Sequence, residues 1–378
     1  MKSGQWFSVK KFKKRMNKRI IFHIPVQLDR NHASASQIRP LKMIAAFQNI
    51  GYAVDIVEGP AKKRQAQIVE IKKNIRAGVK YDFVYSESST MPTLLTESHH
   101  LPTHPCLDFG FFQFCKKNNI PIGLFYRDIH WCFINKNKDW KQRVARYFYR
   151  YDLKKYQKLV DVFFLPSLEM LPHIPFHFDG TVATLPPGGD EKEAIHSKTD
   201  NSINILYVGG VGGNYDVAPL LGAVSECPFV NLTLCCRPSD WQNVAKQLAP
   251  LLSENIRILH KQPEELPELY AAADLFSLFF HTDYWEFAVP FKLFEAVSYQ
   301  VPLLAAEGTW CGKFVHENRI GFEIPHRTDE LIRVLNQIHD NPAVLQDFRN
   351  NLSRLAPQHT WESRARKVAE ELTQTANV

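Results

Sequence analysis

The stretch 272–308 constrains the fold more than any other part of the chain, because it combines two apolar runs with a helical pattern between them. The apolar run 275–280, bounded by polar residues, is typical of a buried strand in a parallel sheet. Pro290 then opens a predicted helix over 291–299, since proline is favoured at the start of a helix. A second apolar run follows at 303–306. Strand, loop, helix and strand form a βαβ unit, which predicts a parallel α/β fold.

Two charged residues of this predicted helix, Lys292 and Glu295, stand three positions apart and therefore share one face. At the start of a helix above the carboxyl ends of parallel strands, a cation and a carboxylate can hold a phosphorylated, hydroxyl-bearing ligand. Lys292 would meet phosphate, and Glu295 would accept hydrogen bonds from sugar hydroxyls. The alternative is an ordinary exposed ion pair on a helix.

The run PFKLFEAVSYQVPLLA, which starts at Pro290, resembles the P-x-K-x-x-E segment of GT-B glycosyltransferases, close to the retaining family 4 group. The resemblance implies two Rossmann-like domains with a nucleotide-sugar between them, Glu295 on the ribose and Lys292 on the diphosphate. Family 4 enzymes often carry another glutamate eight positions before the second. Phe287 stands at that position here, and Glu286, nine before, is our candidate for the role on the donor sugar.

The beginning of the chain predicts a strand over 19–25, a helix over 37–50 and a strand over 52–57, again in parallel α/β order. The loop HASASQIRPLK resembles the first loop of some GT-B enzymes, which lies near the donor phosphates. The resemblance implies a donor-binding role for Ser36. A serine at this point can equally cap the helix and do no more.

Polar residues follow the predicted strand 120–126, at the end where parallel α/β sheets bind ligands. Family 4 enzymes often place His or Asp here, near the reacting sugar. The resemblance therefore makes Asp128 and His130 candidate catalytic residues. Alternatively, Asp128 pairs with Arg127 or caps the next helix.

A glycine-rich loop follows the predicted strand 203–208, and it includes Gly210, Gly212, Gly213 and Asn214. A dinucleotide fingerprint anchored on Gly210 would require glycine where Tyr215 stands, and no acidic residue ends the next strand. These departures disfavour a nicotinamide cofactor. In GT-B enzymes this loop lets backbone amides approach the diphosphate.

Many family 4 members have an arginine and a lysine just after this loop, and this chain has neither. Arg237, which follows the next predicted strand, is our candidate for the replacement, because a guanidinium can hold a diphosphate through two parallel hydrogen bonds. The alternative is an arginine on a surface loop.

The length of 378 residues favours two domains. We place a basic arm at 1–18, an acceptor domain at 19–189, a linker at 190–202, a nucleotide-sugar domain at 203–356 and a crossing segment at 357–378.

The contents of 45% hydrophobic and 22% charged residues are those of a soluble protein. Without an export signal or a membrane-length apolar run, we expect the chain to be cytoplasmic. No C-x-x-C occurs among the seven cysteines, and we expect no metal and no cofactor.

The net charge of +7 is unevenly distributed. The stretches 1–20 and 136–158 carry +8 and +7, which leaves −8 for the rest of the chain. Both stretches mix basic residues with aromatic ones, a composition that suits an anionic membrane surface and also nucleic acid. Simple solvated surface is a third interpretation. We expect peripheral attachment to the inner face of the cell membrane and no nucleic-acid partner.

Taken together, these features predict a GT-B glycosyltransferase of the hexosyltransferase type. It would take a nucleotide-sugar donor and a glycan or lipid-linked acceptor of surface polysaccharide synthesis. Three alternatives remain open. One is a non-catalytic GT-B subunit that binds a nucleotide or a glycan, and another is a nucleotide-sugar epimerase of the same fold. The third is a nucleic-acid binder that uses the two basic stretches.

Overall fold

The computed structural model describes residues 18–29, 35–133, 140–192, 202–213, 215–279 and 286–375. Within these residues the strands form two six-stranded sheets, and every pair of neighbouring strands is parallel. Most strands are short and almost fully buried, as expected when helices cover both faces of a sheet. The predicted fold class is confirmed.

The first sheet has the strand order β2-β1-β3-β4-β5-β6. Its strands are β1 Arg19–His23, β2 Ala53–Val57, β3 Phe83–Glu87, β4 Ile122–Phe125, β5 Val162–Leu165 and β6 Thr181–Thr184. The helices that accompany them are α1 Ala35–Asn49, α2 Ala61–Arg76, α3 Leu107–Lys117, the single turn α4 His130–Phe133 and α5 Trp140–Leu159.

The second sheet has the strand order β12-β11-β10-β7-β8-β9. Its strands are β7 Ile203–Val208, β8 Val230–Cys235, β9 Ile256–Leu259, β10 Leu275–Leu278, β11 Leu303–Ala306 and β12 Gly321–Ile324. Its helices are α6 Ala218–Glu226, α7 Pro238–Leu248, α8 Leu266–Ala271, α9 Phe291–Ser298, α10 Trp310–Asn318, α11 Thr328–Asp340 and α12 Ala343–Leu355.

The last helix, α13 Trp361–Thr375, returns to the first sheet and packs on α1. Its side chains Trp361, Val368 and Leu372 are buried in the same core cluster as the strands of the first sheet. A Cβ atom at Gly123 would lie 2.9 Å from Leu372 Cδ1, so the absence of a side chain there allows this close approach. The predicted crossing of the C-terminal helix is therefore confirmed.

Two chain segments pass side by side between the sheets. The Gly189 amide donates to the His359 carbonyl at 2.8 Å, and the Trp361 amide donates to the Gly189 carbonyl at 3.2 Å. A Cβ atom at Gly189 would lie 1.8 Å from Ser298 Oγ, so only glycine fits at this crossing point. Of the predicted linker 190–202, residues 193–201 lie outside the described part, as does almost all of the predicted arm 1–18.

Strand order reverses between β1 and β3 in the first sheet, and between β7 and β10 in the second. In open parallel sheets, ligands bind beyond the carboxyl ends of the strands at such reversals. One local prediction was wrong at these ends, because α1 begins at Ala35 and Ser36 therefore lies inside the helix rather than capping it. Helix α9 begins at Phe291, directly after the extended residue Pro290, as predicted.

Candidate active site

Two cavities lie at the carboxyl ends of the strands, and Phe291 lines both of them. The first, which we call the lysine cavity, has a volume of about 470 Å³. It is lined by Ser36, Thr90, Arg127, Asp128, Pro166, Met170, Val208, Gly209, Gly210, Tyr215 and the run 287–292. The second, the glutamate cavity, has a volume of about 400 Å³. It is lined by Ile38, Lys42, Gly188, Gly189, Asp190, Lys192, Pro263, Glu264, Leu266, Pro267, Tyr270, Phe291, Glu295, Ser298, Tyr299 and Trp361.

The two charged residues of helix α9, Lys292 and Glu295, line these cavities. Its apolar side chains, Leu293, Phe294, Ala296 and Val297, are buried in the core of the second sheet. Because the helical period sets the remaining positions on another face, Lys292 and Glu295 are left facing the cleft. Lys292 lines the lysine cavity and Glu295 the glutamate cavity, so one helical turn supplies a cation to one and a carboxylate to the other.

The Glu295 carboxylate is held by two donors at the same oxygen. Lys292 Nζ lies 2.7 Å from Glu295 Oε2, and the Tyr270 hydroxyl donates to that oxygen at 3.0 Å. Burial raises the pKa of the Tyr270 hydroxyl well above its ordinary range, and the nearby Glu295 carboxylate raises it further. Tyr270 therefore stays a proton donor at neutral pH and fixes the carboxylate beside the cavity.

The wall that the first sheet contributes to the lysine cavity carries a cation, Arg127. Its Nη2 donates to Glu87 Oε2 at 2.9 Å, and Arg39 Nε lies 3.4 Å from the other oxygen of this fully buried carboxylate. Burial lowers the pKa of the Arg127 guanidinium, whereas the Glu87 charge raises it. Two guanidinium groups thus share the Glu87 carboxylate, and the Asp128 carboxylate stands beside Arg127 at the same wall.

Asp128 and His130 line different cavities, although His130 Nδ1 lies 3.7 Å from Asp128 Oδ2. Asp128 lines the lysine cavity, and its Oδ1 accepts the backbone amide of His130 at 2.9 Å, so it also caps α4. The site and the capping role, left as alternatives by the sequence, are thus compatible. His130 lines a separate cavity with Trp131 and Tyr149, and its ring meets the Tyr149 ring edge-on at 6.1 Å.

Glu286 and Phe287 are adjacent but differ sharply in their surroundings. The Glu286 side chain is 65% exposed, and its Oε2 lies 3.9 Å from His173 Nε2. Phe287 is buried against Phe133 and lines the lysine cavity, and its carbonyl accepts the Ser167 hydroxyl at 2.7 Å. Of these two residues, only Phe287 is among those lining the cavity, and the catalytic role of Glu286 stays a prediction.

The glycine loop reaches the lysine cavity only through its first part, Gly209 and Gly210. Gly212 and Gly213 have φ values of +86° and +58° and make a tight turn, in which Gly212 and Tyr215 exchange backbone hydrogen bonds of 3.0 and 3.1 Å. This turn lays the Tyr215 ring on the cavity beside Gly210. Asn214, the other donor-binding candidate, lies outside the described residues.

Arg237 follows β8 and stands at the start of α7. Its guanidinium is 78% exposed, and its Nε donates to Asp240 Oδ2 at 2.9 Å. Among the described residues it lines neither cavity. The structure therefore brings five predicted residues, Ser36, Gly210, Asp128, Pro290 and Lys292, to the lysine cavity, and it places Glu295 in the cavity next to it.

No family model matches the sequence, and no curated protein matches it either. Solved structures do match, over nearly the whole chain. A sucrose-phosphate synthase from Thermosynechococcus elongatus is 15% identical with a TM-score of 0.64, over 95% of this chain and 99% of that one. WaaG, a glycosyltransferase involved in lipopolysaccharide biosynthesis, is 14% identical with a TM-score of 0.55, over 94% and 99%. The S. aureus MnaA–UDP co-structure is 12% identical with a TM-score of 0.51, over 95% and 97%.

The fold is GT-B. At these identities the likeness shows the shared fold of two parallel α/β domains, and the chemistry has to be argued from the side chains. The lysine and glutamate cavities lie in the cleft of this GT-B fold, at the strand reversals of its sheets.

Three residues of the GT-B cleft were missed as site residues by the sequence analysis, namely Arg127, Tyr215 and Tyr270. Arg127 could have been found, because it directly follows a strand end at the same edge as Asp128. Tyr215 was visible only as a departure from a glycine pattern. Tyr270 reaches Glu295 from a different helix, and no short sequence pattern joins positions so far apart.

In the described part of the chain, no group of three or more His, Cys, Asp or Glu residues is arranged to hold a metal ion. Also among the described residues, no helix combines the length and the apolar character needed to span a membrane.

Proposed function

We propose that this chain is a retaining, metal-independent glycosyltransferase. It transfers a sugar from a nucleotide-sugar to a glycan or lipid-linked acceptor in surface polysaccharide synthesis. The observation that carries this proposal is the arrangement of Lys292 and Glu295 on one turn of α9, each lining its own cavity in a GT-B cleft. The lysine cavity would hold the phosphate-bearing part of one donor, and the glutamate cavity would hold its hydroxyl-bearing part.

The charges suit a nucleoside diphosphate that bridges the cavities. Lys292 would neutralise the diphosphate, and the Glu295 carboxylate, fixed by Tyr270, would accept hydrogen bonds from the ribose. The backbone of Gly209 and Gly210 can approach the phosphates closely because no side chain intervenes. The residues around Pro263 and Glu264 would then face the base.

The chemistry follows from the charge that develops as the sugar leaves. Negative charge grows on the diphosphate, and a fixed cation such as Lys292 stabilises it without reorganisation. Arg127, paired with Glu87, contributes a second cation to the cavity from the first sheet. Asp128, whose carboxylate lines the same cavity, would accept a hydrogen bond from a hydroxyl of the reacting sugar or of the acceptor.

Two features support the proposed nucleotide-sugar donor and the proposed contact with a membrane. MnaA, which shares the fold, has a solved co-structure with UDP, and WaaG is described as a glycosyltransferase of lipopolysaccharide biosynthesis. Helix α5 carries seven Lys and Arg, its only acidic residue, Asp152, is buried, and Trp140 and Tyr147 are exposed. This composition favours contact of the first domain with an anionic membrane surface.

One observation favours a second candidate, a non-catalytic GT-B subunit that binds a nucleotide or a glycan. The position where many family 4 enzymes carry a glutamate is occupied by buried Phe287, stacked on Phe133 at 5.5 Å. No carboxylate can act from that position. The third candidate, an epimerase of the same fold, would use the same donor cavities.

The proposal is tested with UDP, ADP and GDP in a thermal-shift experiment, followed by incubation with the matching sugar nucleotides and mass spectrometry of the products. A nucleoside diphosphate that raises the melting temperature by mass action, together with sugar transfer to water or to an acceptor in EDTA, is the expected result. Binding without turnover would favour the subunit, and a converted sugar nucleotide would favour the epimerase. The configuration of the product, read by NMR, tests retention.

A further inference from the structure

A third cavity, which we call the apolar cavity, lies in the first domain outside the donor site and has a volume of about 530 Å³. One wall is the segment 91–102, and the other consists of α4 and the first half of α5. This volume falls within the roughly 300–1,000 Å³ typical of ligand pockets. Nothing in the proposed donor chemistry uses it.

The floor of the apolar cavity is hydrocarbon and aromatic. Leu95, Trp131 and Tyr149 are buried there, and the last two rings stack at 4.9 Å and 3°. Their polar atoms are bonded elsewhere, because Trp131 Nε1 donates to the Tyr126 hydroxyl at 3.1 Å and the Tyr149 hydroxyl donates to the Thr90 carbonyl. The floor therefore presents ring faces and methyl groups.

The rim of the apolar cavity is exposed although its residues are apolar. Leu101 is 58% exposed, Trp140 64% and Val144 42%. Val144 and Trp140 share one face of α5, since they are four residues apart. A clustered apolar rim on a soluble surface is typical of a surface that binds another molecule.

Among the described lining residues of the apolar cavity, the Lys and Arg side chains bring positive charge to its edge. Lys141 and Arg146 line the cavity from α5, and no acidic residue does so among the described lining residues. Arg146 Nη2 donates to the Trp131 carbonyl at 3.3 Å, which holds its guanidinium at the inner edge. An apolar interior with cations at its edge is complementary to an amphiphile that has an anionic head.

The apolar cavity and the lysine cavity share a wall. Thr90 lines the lysine cavity, and its neighbour Met91 lines the apolar cavity. Likewise, Asp128 lines the lysine cavity and His130 lines the apolar cavity. Asp128 therefore lies directly beside the residues that line the apolar cavity, on the side of the lysine cavity.

We propose that the apolar cavity binds the hydrocarbon chain of an anionic amphiphile, and that this amphiphile is the acceptor. Lys141 and Arg146 take its anionic head, and its reacting hydroxyl lies towards Asp128. The inference rests on the proposed glycosyl transfer, because the acceptor role requires a donor in the lysine cavity. It adds a chain-binding site, which attraction to an anionic membrane surface does not require.

The test uses octyl, decyl and dodecyl phosphate as soluble monomers, below their micelle thresholds, with inorganic phosphate as the headgroup control. Since a buried methylene contributes about 0.8 kcal/mol, or roughly a fourfold gain in affinity, two more carbons should tighten binding by about tenfold or more. Calorimetric titration measures the dissociation constants. Inorganic phosphate should bind far more weakly than dodecyl phosphate.

Three variants locate the site. Val144→Glu and Leu101→Glu place a carboxylate on the rim at already exposed positions, and both should abolish the dependence on chain length. Val69→Glu is the matched control, because Val69 is also apolar and 60% exposed but lies on α2, away from the lining residues. It should keep the full dependence. Equal affinity for all chain lengths, or an unchanged dependence in both rim variants, would overturn the chain site.

The failure of this inference differs from that of the proposed function. If UDP, ADP or GDP raises the melting temperature and sugar is transferred, but alkyl phosphates bind without chain-length dependence, the donor chemistry stands and the chain site falls. If the alkyl phosphates bind as expected and no nucleoside diphosphate binds, the assignment of the amphiphile as acceptor falls together with the glycosyltransferase proposal.

Discussion

Lys292 and Glu295 meet at one oxygen, with the lysine Nζ 2.7 Å from Glu295 Oε2 across a turn of α9. The same oxygen accepts the Tyr270 hydroxyl, which comes from α8. The pair is therefore fixed by contacts within the chain, and each member can be changed separately.

We expect Glu295→Ala to weaken nucleoside diphosphate binding by roughly 10- to 100-fold, because hydrogen bonds to a charged group contribute about 1.5–3 kcal/mol. Calorimetric titration measures the change. Glu330→Ala is the matched control, since Glu330 pairs with Arg333 at the same spacing on the exposed surface of α11. Unchanged affinity in Glu295→Ala would mean that this carboxylate does not hold the ribose.

We expect Lys292→Ala to lower kcat by about 10²–10³, the usual cost of removing one donor that stabilises developing negative charge. Arg237→Ala should have a smaller effect, because its exposed guanidinium pairs with Asp240 and lines neither donor cavity. Steady-state rates of the two variants decide the order. A larger loss in Arg237→Ala would show that this arginine moves into the cleft during turnover.

Asp128→Asn separates the two roles of Asp128. An amide oxygen can still accept the His130 backbone amide and cap α4, whereas the negative charge in the lysine cavity is lost. We expect a large fall in kcat with an unchanged melting temperature. Asp128→Ala should lose both activity and about 0.5–2 kcal/mol of stability, the usual cost of a lost cap. Full activity in the asparagine variant would remove Asp128 from the chemistry.

Asp152 predicts a pH dependence of stability. Burial raises the pKa of its carboxyl to about 7, although Oδ2 accepts the Thr93 amide at 2.6 Å. The stability that the protonated Asp152 carboxyl gives the folded state is fully present below the pKa of the unfolded chain, near 3.9. It is lost as the pH rises through about 7. Between pH 5 and pH 8 this group should lower the free energy of unfolding by roughly 2–3 kcal/mol.

Urea denaturation at both pH values measures this effect. Asp152→Asn, which cannot ionise, should lack that part of the pH dependence, whereas Asp347→Asn on the exposed surface of α12 should keep it. Identical pH profiles for the Asp152 variant and the parent chain would assign the dependence to other groups.

Helix α5 predicts binding to membranes that contain anionic lipid. The exposed cations Arg143 and Arg150 lie on it, and each basic residue at an anionic surface contributes about 1 kcal/mol. The double variant Arg143→Glu, Arg150→Glu should sediment with anionic liposomes at least about 30-fold more weakly. The matched control is the double variant Lys62→Glu, Lys73→Glu on α2, which changes the net charge by the same amount. High salt should release the parent chain, since exposed charges are screened beyond about 10 Å at 0.1 M. Equal binding of the parent chain to neutral and anionic liposomes would contradict the electrostatic interpretation.

The periodic parts of the sequence were the ones that predicted the structure. The order of strands and helices followed from apolar runs, and Gly51, which directly follows the predicted helix 37–50, has the positive φ of 96° that favours glycine at a helix end. Lys292 and Glu295 were proposed because they stand three positions apart at the start of a helix that was predicted to follow a strand. Such features depend on neighbours within a few residues, which is the range over which a sequence pattern is informative.

The placements that the sequence did not predict depend on the direction of a loop or on contacts between distant segments. Arg237 follows a strand as expected, but it pairs with Asp240 of α7. The His130 Nδ1 atom lies 3.7 Å from Asp128 Oδ2, yet the two residues line different cavities. The apolar cavity itself joins the segment 91–102 to α5, and no local pattern indicates that those segments meet.

The return of α13 to the first sheet has a consequence for how the chain is made. Trp361, Val368 and Leu372 complete a core whose other members, such as Phe22 and Phe164, are synthesised far earlier. At about 5–20 residues per second, the ribosome needs roughly 10–35 s after β6 before these side chains are added. During that time the first domain keeps one apolar face uncovered, so the half of the protein that is translated first is the half that is finished last. A premature stop anywhere before residue 361 would accordingly damage the N-terminal domain, although its own strands were complete.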